Sequence, residues 1–470
     1  MVSYKKYVIA IFILFLCPFA SCKESRALSE EAFSPCTISI IGTGYVGLIG
    51  GAGLSKMGHN VICADIDKRK IKMLNDGQMP IYEPGLEEMV KKNFAQGRLF
   101  FTDDVGAAIR NSDVVIVAVG TPMDDDGRAN LAYLESAMKT IGQNLNGYKV
   151  ICIKSTVPVG TNKKMKLFLK EHAVKGCGFD IVSNPEFLRA GNALKDFFKD
   201  NPIVIGSDSE QALDIMENLY SPLKKGGTAF IRTNLETAET IKYSWNSLVA
   251  VKVGYINELS RFCNACGADI EKIKEAIAFE DKILPFKKVN PGPGFGGSCL
   301  PKDTRAFIRR AQELGVDMQM IKGILASNQI QKQEAVKQLY NLLGGSFAGK
   351  TIGILGLSFK ANTDDIRKSP AIDTIRKLQA DGATIKAYDP QATENMRRLF
   401  PNVNYCNSVD QAIKNVDALI ILTDWASIKN ADLTTLAKKM KNPVVVDAKN
   451  IFDPKDLEAN GLSFANFGRR

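Results

Sequence analysis

The chain reads as α/β, with two parallel-sheet domains joined by an all-helical central region that contains a long connecting helix. Three observations predict this. A strand, a glycine turn and a helix follow one another from Cys36; the same plan restarts at Thr351; between them, residues from Leu235 to about Gly267 carry a helical repeat. At 470 residues the chain is also too long for one hydrophobic core.

The first segment, MVSYKKYVIAIFILFLCPFASC, opens with lysines, runs apolar from Tyr7 to about Leu16 and reaches small residues before Cys22. That pattern is signal-like, and its apolar stretch is short for a membrane span. Residues 1–35 are therefore expected to be a signal-like or anchor extension, or an over-long start, with any membrane contact confined to them.

In TISIIGTGYVGLIGGAGLSKMGHNVICADID, the apolar run Ile38–Ile41 is a buried parallel strand and Gly42-Thr43-Gly44-Tyr45-Val46-Gly47 follows it directly. Gly42 permits the tight turn, Gly44 lets a pyrophosphate approach the backbone, and Gly47 lets the helix pack close to the strand. A second strand, Asn60–Ala64, ends at Asp65, which is placed to accept the ribose hydroxyls of NAD and to repel a 2′-phosphate. This is a Rossmann-like dinucleotide unit. Further strands are expected in 113–122, 148–158 and 179–187, whose carboxyl ends carry Thr121, Ser155-Thr156 and Glu186 on the edge where open parallel sheets bind ligands.

In the central helix, Ile241, Trp245, Leu248, Val251, Tyr255 and Leu259 recur at steps of three or four. Lys242 and Asn246 share a neighbouring face and can point at one site. From Thr351, TIGILGLSFKANTDD, ATIKAYDP, DALIILTDW and PVVVDAKN form the second, smaller Rossmann-like unit. The expected limits are 36–232 for the NAD domain, 233–330 for the helical domain and 331–470 for the second α/β domain.

Composition narrows the chemistry. The net charge of +10 is scattered among acids, as in KRKIKM and EEMVKKN, so no nucleic-acid partner is expected. Ten cysteines spread over the chain read as thiols. Cys263 and Cys266 form a CxxC with no second pair or histidine near it, so no metal site is expected. His59 and His172 are the only histidines, which leaves proton transfer to Lys, Asp or Glu.

PGPGFGGSCLPKD, residues 291–303, surrounds Cys299 with four glycines and three prolines. Pro301 suits the first turn of a helix, which puts Cys299 at a helix amino terminus, where the dipole favours a thiolate. Asp303 lies one turn further on. A dinucleotide domain together with a presented thiol points from alcohol to carboxylate: the thiolate adds to an aldehyde, the adduct is oxidised to a thioester, and water releases the acid. Lys242 and Asn246 would serve the reacting oxygen. A single-step hydroxyacid dehydrogenase shares the first domain and helical middle but needs neither Cys299 nor the second α/β unit.

GTGYVG, VAVGTP, KSTVPVG, NPEFL, ETIKYSWN, GFGGSCLPKD and GLSFKANTDDIRKSPA occur in this order, and with them the chain resembles the UDP-glucose/GDP-mannose dehydrogenase family over roughly residues 36 to 465. The resemblance implies Cys299 as nucleophile, Lys242, Asn246 and Asp303 at the reacting oxygen, Thr121 and Glu186 at the water, and Glu186 as hydrolytic base. It implies an NAD site of Gly42, Gly44, Tyr45, Val46, Gly47, Asp65, Lys70, Thr102, Thr121, Lys302 and Arg367. Substrate contacts would come from Glu186, Phe187, Leu188, Lys242, Asn246, Asn290, Gly297 and Lys360. It further implies UDP-glucose as substrate, with GDP-mannose as the alternative, two NAD and one water per round, a homodimer through the central helices, and a cytoplasmic catalytic body. Ala190, Lys449 and Lys282 depart from the family pattern, where a Glu and two arginines are usual; Lys449 would make a point-charge contact in place of a bidentate one.

Overall fold

The computed structural model describes residues 34–278 and 289–469. The signal-like stretch and Lys282 lie outside the described residues. Among the described residues, no helix is long and apolar enough to cross a membrane.

Strands β1 (Thr37–Ile41), β2 (Asn60–Ala64), β3 (Leu99–Thr102), β4 (Val114–Val117), β5 (Lys149–Ile153), β6 (Phe179–Ser183), β7 (Ile203–Gly206) and β8 (Phe230–Thr233) form one sheet in the order β3-β2-β1-β4-β5-β6-β7-β8. Every residue of β4 and β5 is buried, as expected for parallel strands covered by helices on both faces. The sheet is parallel except between β6 and β7, which meet through Ser183 opposite Gly206. The order reverses between β1 and β4, and the glycine turn lies at that switch point.

Strands β9 (Thr351–Leu355), β10 (Thr384–Tyr388), β11 (Asn404–Tyr405), β12 (Ala418–Ile421), β13 (Val444–Asp447) and β14 (Ser463–Asn466) form a second, wholly parallel sheet in the order β11-β10-β9-β12-β13-β14. The fold class read from the sequence is therefore the observed one. Helix α1 (Tyr45–Lys56) follows the glycine turn, and of the helices between the two sheets α2 (Leu235–Cys266), α3 (Leu300–Glu313) and α4 (Gln319–Leu342) bear on the site.

The 32 residues of α2 span about 48 Å at 1.5 Å per residue. Asn234 caps the helix by accepting the Thr237 N–H at 2.8 Å, and Gly267 ends it at φ +81°. Its inner side is polar and small: Lys242, Asn246, Ser247, Ala250, Gly254 and Asn257 are buried, and a Cβ on Gly254 would sit 3.0 Å from Ile324 of α4. Trp245 (39% exposed), Leu248, Tyr255 and Phe262 (64%) point outward. Thus several of the apolar positions that disclose the helix in the sequence belong to its open face, while the polar ones face the protein.

Candidate active site

Each glycine of the first turn has a separate steric reason. Gly42 adopts φ +102°, and a Cβ there would lie 2.8 Å from the Ala118 carbonyl oxygen. A Cβ on Gly47 would lie 1.9 Å from the Gly42 oxygen, so only glycine lets α1 start this close to the strand. Around Gly44 nothing lies within 4 Å of such a Cβ: the approach to the amino terminus of α1 is open, as a pyrophosphate requires.

Asp65 closes the turn from below. Its Oδ2 accepts from Thr43 N (2.8 Å) and Thr43 Oγ1 (2.7 Å), its Oδ1 accepts from Asp67 N (2.9 Å), and Lys70 Nζ is 3.7 Å away. Burial raises its pKa, but these hydrogen bonds and Lys70 win and hold the carboxyl below its ordinary value. Thr102 sits beside it, paired with Ala64 across β2 and β3. Asp65, Lys70 and Thr102 therefore form one cluster at the ribose end. The open backbone at Gly44 and the ionised Asp65 fit NAD.

A second cluster gathers where β6, α2 and α3 meet. Lys242 Nζ donates to Glu186 Oε1 at 3.3 Å and lies 5.4 Å from the Phe187 ring centre. One turn along α2, Asn246 Nδ2 donates to Asp303 Oδ2 at 2.6 Å. Asp303 is fully buried, and its Oδ1 is 2.6 Å from Lys302 Nζ, which also donates to Thr121 Oγ1 at 3.5 Å. Lys242–Glu186 and Asn246–Asp303 thus meet as two pairs around one thiol, with Lys302 bridging Asp303 to Thr121.

That thiol, Cys299, is the amino-terminal cap residue of α3, with Ser298 Oγ 3.5 Å from its Sγ. The helix position matches the expectation, but the expected electrostatic outcome does not follow. Burial and the Asp303 carboxylate push the Cys299 thiol up; Lys242 pulls it down, and the net direction is upward. The thiol form is therefore favoured in the resting site. Burial lowers the Lys242 pKa, but Glu186, Cys299 and Asp303 overcome it and keep an ammonium there. Replacing Asp303 with Asn removes a carboxylate that opposes the thiolate. Asp303→Asn is therefore expected to move the pH midpoint of Cys299 alkylation by iodoacetamide downward; an unchanged or higher midpoint would contradict this electrostatic account.

The loop before Cys299 is fixed by its glycines to the second domain. Gly297 N donates to the Arg367 carbonyl at 2.8 Å, and a Cβ on Gly296 would lie 2.4 Å from the Lys368 oxygen. Gly294 (φ +102°) packs against Lys332 of α4. Several of these glycines thus admit neighbouring protein.

Among the remaining expected residues, Arg367 is held by Asp365 through Nε (2.9 Å) and Nη2 (2.6 Å). Lys360 lies 5.6 Å from the Phe359 ring; burial and Arg189 push its pKa down, against Glu83, Asp196 and Cys299. Asn290 Oδ1 accepts from Lys274 Nζ at 2.5 Å. Leu188 N donates to Glu186 Oε2 at 2.5 Å, while Tyr45 and Val46 pack on the first core. Of the departures from the family pattern, Ala190 is half-buried and Lys449 Nζ lies 3.7 Å from Asp424 Oδ1.

Two residues escaped the sequence reading. Glu83, buried, accepts from Tyr45 Oη, from Gly191 N (2.6 Å) and from Ala193 N (2.7 Å), and so ties the glycine turn to the loop after Glu186. PIYEPG gives no periodic signal. Lys154, in KSTVPVG, is buried behind Glu186.

Fold and site together define a dinucleotide-dependent dehydrogenase carrying a second nucleotide-type domain. Residues 36–224 match the NAD binding domain of the UDP-glucose/GDP-mannose dehydrogenase family, 236–330 its central domain and 353–454 its UDP binding domain. UDP-glucose 6-dehydrogenase TuaD of Bacillus subtilis is 43% identical over 92% of this chain and 93% of its own. UDP-glucose 6-dehydrogenase of Rhizobium meliloti is 40% identical over 92% and 99%. The structure of a UDP-glucose dehydrogenase from Pyrobaculum islandicum superposes with a TM-score of 0.84 at 34% identity, covering 91% of this chain and 98% of that one. The chain belongs to the UDP-glucose/GDP-mannose dehydrogenase family, is an oxidoreductase, and takes NAD as its cofactor.

Proposed function

We propose that this protein oxidises UDP-glucose at C6 to UDP-glucuronate, a four-electron reaction through a Cys299 thiohemiacetal and thioester. The observation that carries the reading is the convergence of the Lys242–Glu186 and Asn246–Asp303 pairs on Cys299 at the start of α3. The names of the relatives at 43% and 40% identity support the substrate, and the UDP binding domain supports its nucleotide.

NAD, when bound, supplies the hydride acceptor for both oxidations, held by the glycine turn, Asp65, Lys70 and Thr102, with Thr121, Lys302 and Arg367 nearer the thiol. Lys242 and Asn246 face the C6 oxygen and stabilise its negative charge as the alcohol proton passes to solvent water and the C6 hydride is removed. At the aldehyde stage a thiol with a raised pKa is no obstacle. Its sulfur forms the C–S bond and its proton ends on the C6 oxygen, passed by Lys242, so no free thiolate has to persist. After oxidation of the adduct to the thioester, Glu186 takes a proton from water as the water oxygen bonds to C6; the C–S bond then breaks onto the Cys299 sulfur. Lys360 holds the nucleotide, and Phe187, Leu188, Asn290 and Gly297 shape the sugar site.

The domains are assigned as 36–232, 233–330 and 331–470. The outward Trp245, Leu248, Tyr255 and Phe262 of α2 support a homodimer through the central helices. The need for NAD and a nucleotide sugar supports a cytoplasmic catalytic body.

NADH yield tests the reaction. Limiting UDP-glucose is expected to give two NADH and one acid per molecule, whereas a single-step dehydrogenase gives one. Turnover of GDP-mannose in preference to UDP-glucose would overturn the substrate.

A further inference from the structure

Beside Glu186 lies a cavity of about 40 Å3 that Cys299 does not line. Lys154, Asn184, Glu186, Tyr220 and Asp196, the last held by Arg189, contribute its polar lining, and Phe197 and Asn201, both half-buried, stand at its rim. Its remaining wall is apolar, and it has room for water beside these polar groups, since one molecule needs only about 10–15 Å3 of such space.

Lys154 is unusual within it. The side chain leaves the end of β5 and is 7% exposed, yet among the described residues no carboxylate lies within ion-pair distance. Its Nζ donates to Asn184 Oδ1 at 3.0 Å and to the Asn184 carbonyl at 3.4 Å, and lies 6.0 Å from the Tyr220 ring. Tyr220 Oη occupies Asn184 Oδ1 as well, at 2.8 Å. A buried amine without a counter-charge costs stability and is retained where its basicity is used. Burial pushes its pKa down, Cys152 and Glu186 push it up, Lys242 again down, and the net direction is downward.

We propose that Lys154 is a proton-holding group at the rear of the active site, receiving through cavity water the proton that Glu186 collects in thioester hydrolysis. The inference rests on the thioester reading of Cys299. In that step, the water oxygen bonds to C6, one water proton passes to Glu186, the C–S bond breaks with its electron pair on sulfur, and the second proton ends on Cys299. Glu186 must then be emptied before the next round. Its proton crosses the cavity to the Lys154 nitrogen, which becomes an ammonium and releases the proton toward the Asn201 rim.

The test compares Lys154→Met, Lys154→Arg and Glu186→Gln by steady-state kinetics and by intact mass after rapid quenching with UDP-glucose and excess NAD. Methionine preserves the volume, arginine preserves charge but cannot accept a proton at working pH, and Lys154→Gln replaces methionine if that variant does not fold. Both lysine variants are expected to lower kcat by about tenfold or more, with KM for UDP-glucose within about twofold of the parent value, and to accumulate the covalent Cys299 adduct. Wild-type kcat in Lys154→Met, or recovery by arginine of what methionine loses, would overturn the relay. An adduct in Glu186→Gln but in neither lysine variant would overturn the relay while leaving the thioester reading intact. No adduct in any of the three would overturn both.

Discussion

Cys299→Ser is expected to stop acid formation while leaving the first oxidation measurable. Removing hydride from the C6 alcohol needs Lys242, Asn246 and bound NAD but not the thiol, so a pulse of NADH of up to one per active site should remain. The next step fails because a serine hydroxyl is far less acidic than even a thiol with a raised pKa, and the buried Asp303 beside it opposes an anion further. The rate of UDP-glucuronate production should fall by about a thousandfold or more, as for other members of tightly coupled catalytic units. Product analysis by chromatography, with NADH absorbance in the same reaction, separates the two stages. Full conversion to the acid by the serine variant would remove the thioester from the mechanism.

Lys242→Met is expected to damage both catalysis and stability, and the two losses can be separated. Lys242 is 3% exposed and Glu186 8%, so deleting the ammonium strands a carboxylate in the interior. Breaking such a pair from one side costs on the order of 3 kcal/mol, visible as a lower melting temperature. The loss of a positioned donor at the C6 oxygen should reduce kcat by about a hundredfold or more. In Lys242→Met/Glu186→Gln the stranded charge is gone, so the melting temperature should recover while activity stays lost. If the double variant melts as low as the single one, the buried pair is not what stabilises this region.

Residues with a positional grammar were legible in the sequence. Gly42, Gly44 and Gly47 announce their turn because each stands at a fixed offset after a buried strand. The 32-residue α2 announces itself by its repeat. The face of α2 was less legible: Trp245, Leu248 and Tyr255 mark it as a helix, but periodicity alone does not tell a side that packs within the chain from one left outward. Short strands were lost too. The two middle residues of β8 are exposed, so it lacks the apolar run that betrays β4 and β5, whereas β7 is fully buried but its apolar run is only the three residues Ile203, Val204 and Ile205. At the site, spacing along one helix foretold that Lys242 and Asn246 act together. That Glu186 pairs with one and Asp303 with the other depends on the meeting of three elements and had no local signal. The upward push on the Cys299 thiol had no local signal for the same reason: the helix terminus is local, the surrounding burial is not.

The junction between the cysteine loop and residues 367–368 bears on how new family members could be assembled from parts. Gly297 N binds the Arg367 carbonyl, and Gly296 fits against Lys368 with no room for a Cβ. Cys299, the nucleophile proposed above, is thereby indexed to the part of the chain that matches the family's UDP binding domain. A recombinant that takes its carboxyl-terminal domain from another parent inherits a different partner for this joint unless residues 290–299 travel with it. The natural crossover point for exchanging sugar-nucleotide preference therefore lies ahead of Asn290, inside the helical region, and not at the start of the second sheet.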